Sequence, residues 1–346
     1  VVPQLCRRWE SSVDDDDDDD TDYDSSSESY SVSSTVPSAE EWCALVSQFR
    51  QRDDLEKVVL ARRRRFRRRV EQDNDDPWSL LAKLEAQPGA VDFCYRFGLE
   101  LAGSDAVFVG SSPELLCDVR GRSLKCDVLA GTRKRDLADP SADAALAEDL
   151  LRSAKDKVEN DIVRAFVEDR LRDVSATLAF SSVAVVKLAN VQHLRREVTA
   201  TLRPSISNAA VLRSLHPTPA TLGTPPEKAR AFLREGEGFD RGWFAGPFGA
   251  VSAEDATFAV ALRSALTLPS ETFAYAGAGI VAGSDATKEA DEVDFKLKPI
   301  DDALAARGKK NKPFAFEGGK KARRGVIIII IIIIRGPPRT YTLPLA

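Results

Sequence analysis

From residue 38 onward the chain switches repeatedly between period-two hydrophobicity and helical spacing. Ser38 followed by Glu41 has the spacing of a capping box and opens a predicted helix through about residue 49. The apolar run Val58-Val59-Leu60 after Lys57 predicts a strand over 56–72. That strand continues through the arginine-rich stretch Arg62 to Arg69, read as a solvated strand face. Residues 77–86 have a helical pattern. Residues 91–130 alternate apolar and polar positions around turn signals at Gly103-Ser104 and Gly121, which predicts antiparallel strands. Leu146, Leu150, Ile162, Phe166 and Leu171 fall at helical spacing and predict one long helix over 142–173. Further strands are expected at 178–202, 243–251, 256–266 and 271–281, and helices at 207–214, 226–234 and 286–305. No regular βαβ alternation is present. The pattern therefore predicts an α+β fold with large antiparallel sheets and argues against a doubly wound parallel sheet.

The ends of the 346-residue chain change this picture. Residues 14–28 hold nine Asp and one Glu with no Lys or Arg; setting those ten charges aside turns the net charge of −5 into +5. A mildly basic body suits a small anionic substrate and is too weak to point to nucleic acid. Residues 1–40, Asp/Ser-rich, are expected to be disordered, because they carry too little apolar surface to offset chain entropy. Residues 308–346 are basic and then carry eight consecutive isoleucines, Ile327 to Ile334. With Val326 that run is far short of the roughly 20 residues a spanning helix needs, so no membrane segment is predicted and the tail reads as disordered or artefactual. The five cysteines form no CxxC pair, which favours a reducing, intracellular compartment. No signal peptide is visible. The chain starts at Val1 and has no methionine, so it reads as a fragment or incomplete gene model.

Chemistry enters with a series of ordered motifs between residues 57 and 300. They are Lys57-Val-Val-Leu-Ala-Arg, Gly110-Ser-Ser-Pro-Glu-Leu-Leu, Leu129-Ala-Gly-Thr-Arg, Ser153-Ala-Lys-Asp-Lys-Val-Glu-Asn, Leu215-His-Pro-Thr-Pro-Ala, Phe239-Asp-Arg-Gly-Trp-Phe-Ala-Gly-Pro, Ala261-Leu-Arg-Ser-Ala, Tyr275-Ala-Gly-Ala-Gly-Ile-Val and Glu289-Ala-Asp-Glu-Val-Asp-Phe-Lys. In this order they resemble the chorismate-utilising enzymes, and among these the isochorismate synthases most. The resemblance implies two layered antiparallel sheets flanked by helices, with a chorismate-binding catalytic domain over 41–307. It also implies an N-terminal truncation, because family members carry well over a hundred residues before the lysine that Lys57 matches.

The resemblance assigns roles residue by residue. Glu159 and Glu292 match the magnesium carboxylates, and Mg²⁺ is the implied cofactor; such an ion typically takes one or two carboxylates and keeps waters. Taken alone, two distant glutamates are ordinary surface residues. Lys57 matches the lysine that activates water, and Glu114 the general acid that protonates the departing hydroxyl. Arg263 and Lys296 match anchors for the substrate carboxylates. Gly277 and Gly279 would let the backbone approach the enolpyruvyl carboxylate. Ala130, Gly131, Thr132 and His216 complete the implied substrate site.

Ala130 bears on the reaction. Aminodeoxychorismate synthases resembling this sequence carry an attacking lysine in a Pro-Ile-Lys-Gly-Thr motif, and an alanine there leaves room for water. The His216-Pro-Thr-Pro form is typical of isochorismate synthases. Thr221 replaces a larger apolar residue at a position linked to pyruvate elimination, which keeps salicylate synthase open. An anthranilate synthase component I-like enzyme, and an inactive or partner-dependent truncated member, also stay open. The remaining expectations are a monomer or weak oligomer and a plastid location if the source is photosynthetic.

Overall fold

The computed structural model describes residues 30–68, 78–86, 94–100, 105–252 and 254–305. The acidic tract before residue 30 and the isoleucine-bearing tail lie outside the described residues. Within them the α+β expectation holds as two antiparallel sheets of seven strands each.

The first sheet runs in the order β1 (Tyr30–Val36), β2 (Lys57–Arg68), β14 (Glu271–Val281), β13 (Ser264–Thr267), β4 (Val107–Ser112), β3 (Tyr95–Glu100), with the short β10 (Gly223–Thr224) also on β2. The second runs β11 (Pro247–Val251), β12 (Asp255–Val260), β5 (Leu115–Arg120), β6 (Ser123–Lys134), β9 (Val191–Leu202), β7 (Ser175–Phe180), with β8 (Ala184–Lys187) on β9. Helices α1 (Ala39–Arg50) and α7 (Ala286–Ala305) bury Trp42, Leu45, Phe49, Val293, Leu297 and Ile300 in one core with β2 and β14. The short α2 (Ser79–Glu85) adds Leu80, Leu81 and Leu84 to that core, and α6 (Pro226–Gly236) adds Phe232 and Leu233. A second core packs Val163, Val167 and Leu171 of α4 (Ala154–Arg172), with Val211 and Leu215 of α5 (Asn208–Leu215), on β5, β6 and β9. Burying side chains of this size stabilises by roughly 1.5–3 kcal/mol each.

Four expectations need correction. Tyr30–Val36 is a strand on β2, so order begins before residue 40; Tyr30 and the β2 arginines give this polar segment its partners. The arginine-rich stretch is not a solvated face: Arg64 holds Asp301 and Asp294 at 2.7 and 2.6 Å, Arg65 holds Glu271 at 2.6 Å, and Arg62 is 8% exposed and donates to the Pro37 carbonyl. The helix expected over 142–173 is two helices, α3 (Pro140–Arg152) and α4. Ser153 sits between them at ψ 118° and caps α4 by accepting from the Asp156 N–H. The strand expected over 256–266 is also two, because the chain leaves the second sheet after Val260 and enters the first at Ser264.

That last break belongs to a pattern. The chain crosses between the sheets at Pro113-Glu114, from β4 to β5, and at Ala261-Leu262-Arg263, from β12 to β13. Arg263 takes φ 49° at its crossing, a backbone region uncommon for a residue with a side chain. No helix among the described residues is long and apolar enough to cross a membrane.

Candidate active site

Both crossings deliver an ionisable side chain to one cavity of about 70 Å³ between the sheets. Val59 of β2 and Ala276, Gly277 and Gly279 of β14 line one side. Leu129–Thr132 of β6 and His193 of β9 line the other. Glu159 of α4, Lys296 of α7, Thr221, Glu114 and Arg263 complete the wall.

Glu114 is 3% exposed, and burial pushes its carboxyl up to about 8, with the nearby Asp127 charge adding to the rise. At neutral pH it is therefore protonated and able to donate. Lys57, fully buried, stands behind the wall and not in it: its ammonium lies 3.1 Å from Glu159 Oε1. Gly279 makes this arrangement possible. A Cβ there would sit 2.1 Å from Glu159 Oε1 and 2.9 Å from Lys57 Cε, so only a residue without one fits. Gly131 has φ 87° at an irregularity in the β6–β9 register, and a Cβ on it would press on Asp156 at 3.0 Å.

A chain of side chains links the crossing at Arg263 to α7. Arg263 has only donors, so its Nη2, 3.0 Å from His193 Nε2, makes that nitrogen the acceptor. The imidazole proton then sits on Nδ1, which donates to Thr132 Oγ1 at 3.1 Å. Burial, with Arg263 and Lys296 nearby, lowers the His193 pKa well below its ordinary value and keeps the ring neutral. The Thr132 hydroxyl is left to donate to Glu292. Burial opposes ionisation of Glu292, but Lys296, at 2.8 Å, and Lys155 outweigh it and hold the carboxyl below its usual range. Lys296 also donates to the Gly277 carbonyl at 2.8 Å.

Glu292 lines a second, more open cleft of about 560 Å³ together with Thr132, Lys155, Asp156 and Glu289. Four carboxylates thus gather where the clefts meet: Asp156 and Glu159 one turn apart on α4, and Glu289 and Glu292 one turn apart on α7. Among the described residues no three acidic, His or Cys side chains converge closely enough to encircle an ion. The donor set nevertheless fits magnesium, which asks for hard carboxylate oxygens in small number and completes its shell with water. A cation already sits among them, the Lys155 ammonium, 2.7 Å from Glu289 Oε1 and 3.8 Å from Glu159 Oε2.

Of the residues singled out from the sequence, Glu114, Ala130, Gly131, Thr132, Glu159, Arg263, Gly277, Gly279 and Lys296 line the first cavity, and Glu292 lines the second. His216 is not brought to either: it caps the C-terminus of α5, where burial lowers its pKa to about 4. His193, expected from its motif position to shape the site by local hydrogen bonding, does line the first cavity, whereas the carboxylates Asp156 and Glu289 were not assigned from sequence. The two acids had a legible signal, since each lies three residues before a singled-out glutamate on a predicted helix.

Residues 2–305 match the family model described as chorismate binding enzyme. The chain belongs to the chorismate-binding enzymes. Among curated relatives of this family, it is 37% identical to the salicylate biosynthesis isochorismate synthase of Pseudomonas aeruginosa, over 67% of this chain and 48% of that protein. It is 34% identical to isochorismate synthase 2, chloroplastic, of Arabidopsis thaliana, over 72% of this chain and 43% of that one. The solved structure of MenF, the menaquinone-specific isochorismate synthase from Escherichia coli, superimposes with a TM-score of 0.71 at 31% identity, covering 82% of this chain and 65% of that one. The chain thus spans about half the length of these two curated relatives.

Proposed function

We propose that this chorismate-binding enzyme is an isochorismate synthase, an isomerase converting chorismate to isochorismate with Mg²⁺. The observation that carries the reading is a single cavity in which a protonated, buried Glu114 shares the wall with Arg263 and Lys296 while Ala130 offers no nucleophile. The names of both curated relatives support it.

Arg263 and Lys296 bind the substrate carboxylates, Arg263 held in orientation by His193. Water attacks ring C2 and gives its proton to the free-amine form of Lys57, turned from Glu159 toward the cavity; the ring double bonds shift, and the C4 hydroxyl leaves as water with the Glu114 proton. Atoms and charge balance, because one water enters and one departs. Glu159 and Glu292 are the residues that would hold magnesium, and the bound ion supplies positive charge toward the ring carboxylate.

Purified protein given chorismate and Mg²⁺ should yield isochorismate by chromatography, and chelation should abolish turnover. Added ammonium or glutamine should leave the product unchanged. Full activity in chelator, or an aminated product, would remove this reading. Salicylate in place of isochorismate would favour the lyase reading that Thr221 raises; its hydroxyl donates to the Thr218 carbonyl at 3.1 Å while the residue lines the cavity. A plastid location, and a role in menaquinone or salicylate formation, rest on the relatives' names alone.

A further inference from the structure

The ammonium of Lys155 is held among carboxylates of two helices, α4 and α7. It makes contacts of 2.7 Å to Glu289, 3.8 Å to Glu159 and 4.0 Å to Asp156. The other three acids each have a second cation: Arg133 at 2.9 Å from Asp156, Lys57 at 3.1 Å from Glu159, and Lys296 at 2.8 Å from Glu292. Glu289, 3% exposed, has Lys155 as its ion-pair partner among the described residues. Burial and the Glu292 charge push the Glu289 carboxyl up to about 7, against the pull of Lys155, so this acid sits at the edge of ionisation even with its partner in place. A divalent ion shared by Glu159 and Glu292 would lie within a few ångströms of the same ammonium, and like charges so placed repel strongly. The side chain has somewhere to go. Lys155 is 23% exposed at its side chain and lines the open second cleft beside Asp285 and Asp291. Its four-carbon stem can carry the charge to solvent while the helix stays where it is.

We propose that Lys155 is a built-in counter-cation that neutralises the carboxylate cluster in the metal-free protein and is displaced toward the second cleft when magnesium binds, so that metal affinity is set by competition with this side chain. The proposal rests on the magnesium reading above. It gives Lys155 two opposite effects: the ammonium stabilises the metal-free fold and weakens metal binding. A lysine that merely supported the loaded site would strengthen binding instead.

The test is calorimetric titration of Mg²⁺ into metal-stripped wild type and Lys155→Met, without substrate. The variant should bind at least about tenfold more tightly, a difference of about 1.4 kcal/mol. Its thermal midpoint in chelator should lie below that of wild type, and saturating Mg²⁺ should close the gap. Equal or weaker binding by the variant would overturn the proposal. If the variant does not fold without metal, wild type alone decides the matter. Amine labelling of Lys155, followed by mass spectrometry, should rise several-fold on saturation with Mg²⁺, and unchanged labelling would count against displacement. Failure of wild type and variant alike to bind Mg²⁺ would sink the metal reading itself, and the proposal with it.

Discussion

Glu114→Gln is expected to lower turnover of chorismate by about 10²–10⁴-fold, the usual contribution of a positioned acid, while KM changes little. The amide keeps the shape of the carboxyl, and Arg263 and Lys296 still bind the substrate. The wild-type pH profile should fall as pH rises past about 8, where burial has raised the Glu114 carboxyl, and that limb should be missing from the residual activity of the variant. The same burial has a cost in stability with a definite sign. The folded-state pKa is raised from 4.5 to about 8, so the folded protein disfavours ionisation and loses stability as pH rises between those values. The loss is at most about 1.4 kcal/mol per pH unit. Glu114→Gln removes it, so the variant should be closer to wild type in urea denaturation at pH 5 and comparatively more stable at pH 8.5. Turnover within a few-fold of wild type would show that Glu114 is not the acid.

Lys57→Ala should also cut turnover by about 10²–10⁴-fold, and here stability should fall with it. Removing one partner of a buried ion pair leaves the other charge uncompensated, at a typical cost of about 3–5 kcal/mol. Glu159, 6% exposed and 3.1 Å from the lost ammonium, is that charge, left with the Lys155 ammonium at 3.8 Å as its remaining partner. Magnesium separates the two effects. A divalent ion on Glu159 should recover much of the thermal midpoint without recovering turnover, because it restores the charge balance and not the proton acceptor. Thermal unfolding with and without Mg²⁺, set beside initial rates, reads both. Recovery of turnover along with stability would mean that Lys57 serves only to pair Glu159.

Much of this architecture is legible in the chain. The capping box at Ser38 and Glu41 is formed as expected, and α7 occupies the span its periodicity indicates. What the sequence conceals is what depends on distant partners. The arginines of β2 look solvated because Asp294, Asp301 and Glu271 lie more than 200 positions away. β1 looks disordered because Tyr30, Val32 and Val36 are scattered among serines, and only pairing with β2 makes it a strand. The break at 261–263 carries no Gly or Pro to mark it, so period-two alternation runs straight through a change of sheet. The site divides in the same way. Ordered motifs located Glu114, Glu159, Arg263, Lys296 and the β6 and β14 positions. The pairing of Lys57 with Glu159 across Gly279, the neutral His193 beneath Arg263, and the Lys155 ammonium among the carboxylates appear only once the two sheets face each other.

The most direct test of a water-using isomerase is conversion of chorismate in H₂¹⁸O with Mg²⁺, followed by mass spectrometry of the isolated product. Water attack at C2 predicts isochorismate carrying ¹⁸O at its new hydroxyl, with label absent from recovered chorismate at early times. Unlabelled isochorismate, or no conversion of chorismate at all, would contradict it.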